Sequence, residues 1–229
     1  MFRRFALATV IVLITAGLGS AHASGPHTIT MTLVRHAQSE GNASGLIDTL
    51  TPGPGLTAKG WCQATLAASQ IASHHYDGVY ASSMIRSQQT AAATAQILDE
   101  PVGVLPGLRE IEAGQYEGQP ELNAKQYMVA PLLWLDGDLS ARIPGSLNGN
   151  EFEGRFNDAV RQIYESGHEN PVIFSHGAAI MLWALMNVHN PDRSLITSKP
   201  LPNMGRVTVT GNPSAGWTLT DWDADPPPC

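Results

Sequence analysis

A three-layer α/β/α sandwich with a mainly parallel sheet is the fold this sequence predicts, and two observations predict it. Two histidines close short apolar runs, in Leu33-Val34-Arg35-His36-Ala37 near the start and Val172-Ile173-Phe174-Ser175-His176-Gly177 far downstream. Each is followed by a small-residue break and a new segment, and strand-like and helix-like stretches alternate between them, the pattern of strands joined by crossover helices. In open α/β sheets the ligand crevice lies outside the carboxyl ends of the strands, so two histidines at two such ends can share one crevice.

The elements follow in order. Residues 28–34 alternate Ile29, Met31 and Leu33 with threonines, which is strand periodicity. Residues 37–55 are rich in Gly, Ser, Asn and Pro and long enough to be a functional loop. Thr57 suits a helix N-cap, and Trp61, Ala64, Ala68 and Ile71 continue at helical spacing to about residue 73. Strand 78–81, helix 84–98 and strand 101–105 come next. Residues 106–150 are irregular, with Pro106-Gly107, Gly114, Gly118-Gln119-Pro120 and Pro144-Gly145 around a helix at 121–135. They read as an excursion over the site. A helix at 151–166 leads into the second histidine strand, and 178–187 is the helix after it. Strands at 207–209 and 217–219 form a closing hairpin across Gly211-Asn212-Pro213-Ser214.

With 229 residues, 43% hydrophobic and 14% charged, the chain suits one globular domain, residues 24–229. The first 23 residues read as a secretory signal peptide: Arg3 and Arg4, an apolar stretch from Phe5 to about Leu18, then Ala21-His22-Ala23 as a small-x-small cleavage site. An uncleaved anchor is the other reading, although the run is shorter than the ~20 residues a spanning helix needs. The expectation is therefore an exported protein, secreted or in the cell envelope, without stable membrane association after cleavage. Loss of Arg3 and Arg4 leaves 11 basic against 20 acidic side chains, a net charge of −9, which argues against nucleic acid as a partner. The two cysteines, Cys62 and Cys229, exclude a cysteine-based zinc site. Export permits a disulfide between them, whereas the tail Asp225-Pro226-Pro227-Pro228 reads as extended and loose, which leaves the pairing open.

Four ordered pieces carry a resemblance: Arg35-His36 with the polar stretch to Asn42, Arg86 within Ser82-Ser83-Met84-Ile85-Arg86-Ser87-Gln88-Gln89-Thr90-Ala91, Leu108-Arg109-Glu110 leading to Tyr116-Glu117-Gly118, and Ser175-His176-Gly177. Over about 150 residues they resemble the phosphoglycerate mutase-like branch of the histidine phosphatase superfamily. The resemblance implies that His36 is a nucleophile forming a phosphohistidine, that His176 contacts the transferring phosphoryl group, that Ser39 and Asn42 hydrogen-bond the phosphate, and that Glu110 is the proton donor, with Glu112 as the runner-up. The chemistry suits the residue types. Only a neutral imidazole can attack, and neighbouring Arg35 and Arg86 favour that form. Both guanidiniums are forks for non-bridging oxygens, and backbone N–H groups from Gly177 onward make an anion-friendly pole. An acid beside a bound dianion has its protonated form favoured by repulsion. No step calls for a metal or cofactor, and no Asp-rich cluster reads as a magnesium site.

The expected activity is hydrolysis of small phosphomonoesters. Mutase-type transfer is the alternative within enzymes, and an inactive exported phosphate-binding protein with two buried, satisfied histidines is the alternative outside them. Ala37 and Ser87 depart from the glycine and alanine common at those places in the family, both mildly. Residues 111–118, Ile-Glu-Ala-Gly-Gln-Tyr-Glu-Gly, look like the phosphatase members, since the cofactor-dependent mutases carry Arg-His-Tyr-Gly there. Met128, Leu132, Leu133 and Trp134 are candidates for an apolar wall around the leaving group, and Arg142 and Arg155 for recognition of a second acidic group. They equally suit helix packing and solvated surface. Trp61, Trp134, Trp183, Trp217 and Trp222 all read as core or core edge, with substrate contact as the other reading for Trp134.

Overall fold

The computed structural model describes residues 27–225 and 229; the expected signal peptide, residues 1–23, lies outside the described residues. Strands β1 (Ile29–Arg35), β2 (Gly78–Ala81), β3 (Val102–Val104), β4 (Pro171–Ser175), β5 (Arg206–Asn212) and β6 (Gly216–Asp223) form one sheet in the order β3-β2-β4-β1-β5-β6. The first four in that order run parallel, and the hairpin β5–β6 is antiparallel. β2 and β4 are buried along their whole length, as strands covered on both faces must be. Val34, Val79, Val172 and Phe174 face one layer, where they meet Ala64, Ala67 and Ile71 of α2 (Ala58–Ala72) and Ala91 and Ala95 of α3 (Ile85–Leu98). Met31, Leu33 and Ile173 face the other, against Phe152 and Phe156 of α6 (Gly149–Glu165) and Leu182 and Trp183 of α7 (Gly177–Asn187). Each fully buried side chain of this kind stabilises the fold by roughly 1.5–3 kcal/mol.

Several expectations are revised by local chemistry. The 37–55 loop contains a short helix, α1 (Glu40–Ser44), because Ser39 and Asn42 form a reciprocal capping box. The helix expected at 121–135 is divided: α4 (Ala124–Tyr127) stops at Met128 and α5 (Val129–Leu135) restarts there. Pro131 has no N–H to give to the carbonyl of Tyr127, so a continuous helix would lose a rung and clash. α6 begins before residue 151, on the cap formed by Asn148 and Glu151. A further helix, α8 (Leu195–Ser198), precedes the hairpin.

Trp134 is buried in the core, which agrees with its reading as a core residue and not with the apolar-wall alternative. It stacks on Phe152 at 5.6 Å, and the row continues through Phe156, Trp183 and Trp217 with centroid spacings of 6.0, 5.2 and 5.9 Å. That row fastens the 106–150 excursion to α6, α7 and the hairpin. Trp61 departs from the expected core role and is 45% exposed on α2. Cys62 and Cys229 are disulfide-bonded with their Cα atoms 6.2 Å apart, which ties the end of the tail to α2.

For the site, one register matters most. β1 and β4 are neighbours with Arg35 opposite Ser175, and the His36 amide donates to the Ser175 carbonyl at 2.9 Å. The residues that follow each strand, His36 and His176, therefore emerge side by side.

Candidate active site

At the carboxyl ends of β1 and β4 the two imidazoles lie edge to face, centroids 5.0 Å apart. His36 is 3% exposed, and its Nδ1 lies 2.7 Å from the carbonyl of Ala37. A carbonyl can only accept, so Nδ1 carries the proton and Nε2 presents its lone pair. Arg86 Nε donates to that lone pair at 3.1 Å. Burial, first, and then the charges of Arg86 and Arg35 hold the His36 pKa well below the ordinary histidine value, so the ring is neutral over a wide range of pH. His176 lies fully buried beside it, its Nε2 between the hydroxyls of Ser82 at 2.8 Å and Ser87 at 3.2 Å. Its pKa is also held well down, by burial and then by His36 and the surrounding arginines. Ser87, a mild departure by sequence, is thus a contact of the second histidine.

A cavity of about 220 Å³ opens over His36; Arg35, Asn42, Arg86, Glu110 and Gly177 all line it. It is smaller than the roughly 300–1,000 Å³ of drug-sized sites. Arg86 is aimed by Asp48, which accepts Nη1 at 3.2 Å through its carboxylate and Nη2 at 3.0 Å through its carbonyl. Burial raises the Asp48 pKa despite the arginine. Gly41 makes room for this carboxylate, since a Cβ there would stand 2.2 Å from Asp48 Oδ2. Arg35 donates Nη1 to the carbonyl of Leu201 at 2.6 Å, while its Nε and His176 Nδ1 are buried without a hydrogen-bond partner among the described residues.

Glu110 enters from the excursion and sits at the start of α7. Its carboxylate accepts the amides of Ala179 at 2.8 Å, Ala178 at 3.2 Å and Ile111 at 2.9 Å. The anion-friendly pole expected from Gly177 onward is therefore largely occupied by Glu110, because an acidic side chain at a helix N-terminus satisfies its orphan donors. Glu112 does not line the cavity. It pairs with Arg109 at 3.0 Å and Arg155 at 3.3 Å, which separates it from Glu110.

Other sequence candidates are placed elsewhere. Ser39 is 1% exposed and its hydroxyl is turned to the Asn42 amide as a helix cap, away from the cavity surface. Asn42 does line the cavity, its Oδ1 taken by the Ser39 amide at 3.2 Å and Asn203 Nδ2 at 3.0 Å. Of the proposed apolar wall only Met128 reaches it. Arg142 is exposed and pairs with Glu151 at 2.9 Å, and Arg155 bonds the loop that carries Glu110, so neither meets the cavity.

Residues that sequence reasoning missed complete the surface. Asp48, Thr49, Glu121, Tyr127, Met181 and Leu201 all line it. Tyr127 gives its ring, because its hydroxyl donates to the Ile111 carbonyl at 2.6 Å. Glu117 holds the Thr49 amide at 2.9 Å. Asn203 also donates to the His36 carbonyl at 2.9 Å. Glu117 stands in the Tyr116-Glu117-Gly118 piece of the sequence, and none of the others sits in a pattern that marks it there. Among the described residues, no group of three or more His, Cys, Asp or Glu side chains could hold a metal ion.

A neutral imidazole whose Nε2 lone pair is held by an arginine, two guanidiniums and a carboxylate around one small cavity make this an α/β protein with a phosphoryl-type anion site. The chain belongs to the histidine phosphatase superfamily, branch 1, whose profile matches residues 31–225. It is 42% identical over 216 residues to PE-PGRS family protein PE_PGRS11 of Mycobacterium tuberculosis, a match covering 87% of this chain and 37% of that longer protein. A protein of Hydrogenobacter thermophilus named "putative phosphoserine phosphatase 2" is 31% identical over 151 residues, 65% of this chain and 73% of its own. Among solved structures, mycobacterial glucosyl-3-phosphoglycerate phosphatase in complex with VO3 shares the fold at a TM-score of 0.70 and 19% identity, covering 86% of this chain and all of that one.

Proposed function

We propose that this protein is an exported, metal-independent phosphomonoester hydrolase that works through a phosphohistidine on small phosphorylated molecules. The observation that carries the reading is the tautomer of His36: Nδ1–H is bound to the Ala37 carbonyl, which leaves Nε2 as the nitrogen with the lone pair, held by Arg86 Nε in a ring that borders the cavity with Arg35 and Arg86. In the first step Nε2 attacks phosphorus, the N–P bond forms, and the ester P–O bond breaks. Protonated Glu110 gives its proton to the departing alkoxide. In the second step water attacks phosphorus and passes a proton to the Glu110 carboxylate. The N–P bond then breaks, returning neutral His36 and free phosphate. Arg35 and Arg86 serve the charge that gathers on the equatorial oxygens. Arg35 Nε and His176 Nδ1 are buried polar atoms that find no hydrogen-bond partner among the described residues.

Export rests on residues 1–23, and the Cys62–Cys229 bond suits an oxidising compartment. N-terminal sequencing of protein recovered outside the cytoplasm should begin at Ser24. Activity is tested by phosphate release from a panel of monoesters at pH 4 to 8 with chelator present, with His36→Ala alongside. Chelator-insensitive release that disappears in the variant supports the reading. Faster isomerisation of a phosphoglycerate than phosphate release would replace it with mutase chemistry, and vanadate binding without turnover would leave a phosphate-binding protein.

A further inference from the structure

We infer that Arg155 is a positioning residue for the proton-transfer step: it clamps the loop that delivers Glu110. The proposal rests on the reading of His36 as nucleophile and Glu110 as acid. Residues 107–112 lie outside every strand and helix ladder except for a 3-10 turn at Pro106–Leu108, so their carbonyls have no regular partners. One guanidinium from the middle of α6 collects them. Arg155 Nη1 donates to Gly107 O at 2.8 Å and Arg109 O at 2.9 Å, and Nη2 donates to Glu110 O at 2.7 Å and to Glu112 Oε2 at 3.3 Å.

The clamp is itself held. Its side chain is 17% exposed, its guanidinium lies 5.4 Å from the centroid of the Phe152 ring, and Phe152 belongs to the buried aromatic row. The loop sits so close that a Cβ on Gly107 would fall 2.3 Å from the Arg155 carbonyl. Glu110 is thus fixed at both ends, its backbone by Arg155 and its carboxylate by the amides of Ala178 and Ala179. Four bonds spread over three carbonyls and a carboxylate need a planar fork. A lysine ammonium could satisfy part of such an arc but not span it.

Loss of the clamp should act through Glu110, and leaving-group dependence reveals that. kcat/KM covers the steps up to N–P bond formation. In that step an alkyl ester needs a proton on its leaving oxygen, whereas 4-nitrophenolate departs without one. Arg155→Met should lower kcat/KM for an alkyl ester such as glycerol 2-phosphate by about 10- to 100-fold, the scale of a small misplacement of a catalytic group. The value for 4-nitrophenyl phosphate should stay within about 3-fold. On a Glu110→Gln background the alkyl loss from Arg155→Met should shrink to about 2-fold, since the group being positioned is already gone. Arg155→Lys, which keeps the charge, should fall between parent and Arg155→Met and carries the same comparison should the methionine variant not fold. Equal losses for the two esters, or an undiminished loss on the Glu110→Gln background, would overturn the inference. Absence of His36-dependent release from either ester in the parent protein would instead remove the reading beneath it.

Discussion

Replacing Arg86 by methionine separates what the guanidinium does for chemistry from what it does for packing. The stem volume is largely kept, while the bonds to His36 Nε2, the Asp48 carboxylate, the Asp48 carbonyl and the Met84 sulfur are lost. Only the first of these addresses the reacting atom. Removing one such donor from a preorganised site costs about 2.7–4 kcal/mol in the transition state, or roughly 10²- to 10³-fold in kcat. A second effect has a definite sign. His36 attacks only when neutral, and its pKa is depressed by burial first and then by Arg86 and Arg35. Deleting the Arg86 charge relieves part of that depression, so the acidic limb of kcat/KM should move to higher pH yet stay below the ordinary histidine value of about 6.5, because burial and Arg35 persist. The assay is kcat/KM for 4-nitrophenyl phosphate from pH 4 to 8, with circular dichroism to verify the fold. A folded variant that loses less than about 5-fold, or whose acidic limb stays in place, would refute this account of how His36 is kept reactive.

Three further outcomes are expected. Gly41→Ala places a Cβ 2.2 Å from Asp48 Oδ2 and forces that carboxylate to move, so it should release Arg86 and lower kcat by about 10-fold or more, and combining it with Asp48→Asn should add little; additive losses in the steady-state rates would contradict a shared route. His36 and His176 both have depressed pKa values in the folded chain, so the unfolded chain binds more protons below about pH 6.5 and stability falls as pH drops through that value. Each histidine contributes a slope of about 1.4 kcal/mol per pH unit there, and urea titrations between pH 5 and 7.5 should show a shallower slope in His36→Gln than in the parent. Finally, Cys229→Ser opens a cross-link between residues 167 apart in sequence, which should lower stability by about 2–4 kcal/mol in denaturant titration while phosphate release at 25 °C is retained.

What could be read from the sequence follows from how local each signal is. β1, β4, α2 and α3 are legible because the alternation of β1, the apolar run of β4, the helical spacing and Thr57 cap of α2 and the Ala- and Gln-rich composition of α3 each lie within a few residues of chain. α1 and the division of 121–135 were harder, since a five-residue helix held by Ser39 and Asn42 leaves almost no periodic trace, and the effect of Pro131 depends on where the preceding turn ends. The same distinction runs through the site. His36, Arg86, Glu110 and His176 sit in compact motifs, and the β1–β4 register alone brings the two histidines together. Asp48 and Asn203 could not be found that way, and Arg155 only in a different role, because each acts across a long separation: 38 residues to Arg86, 167 to His36 and 45 to Glu110. Their residue types carry no distinguishing mark, and in isolation Arg155 is one more arginine on an amphipathic helix. What gives it meaning is the row of loop carbonyls laid against it, and that row exists only once Gly107 has packed on α6. The groups that do chemistry are therefore written in short words, and the groups that aim them are written in the packing. The Arg155→Met leaving-group comparison is the sharper test for that reason: it asks whether a residue invisible to the motif controls the residue the motif names.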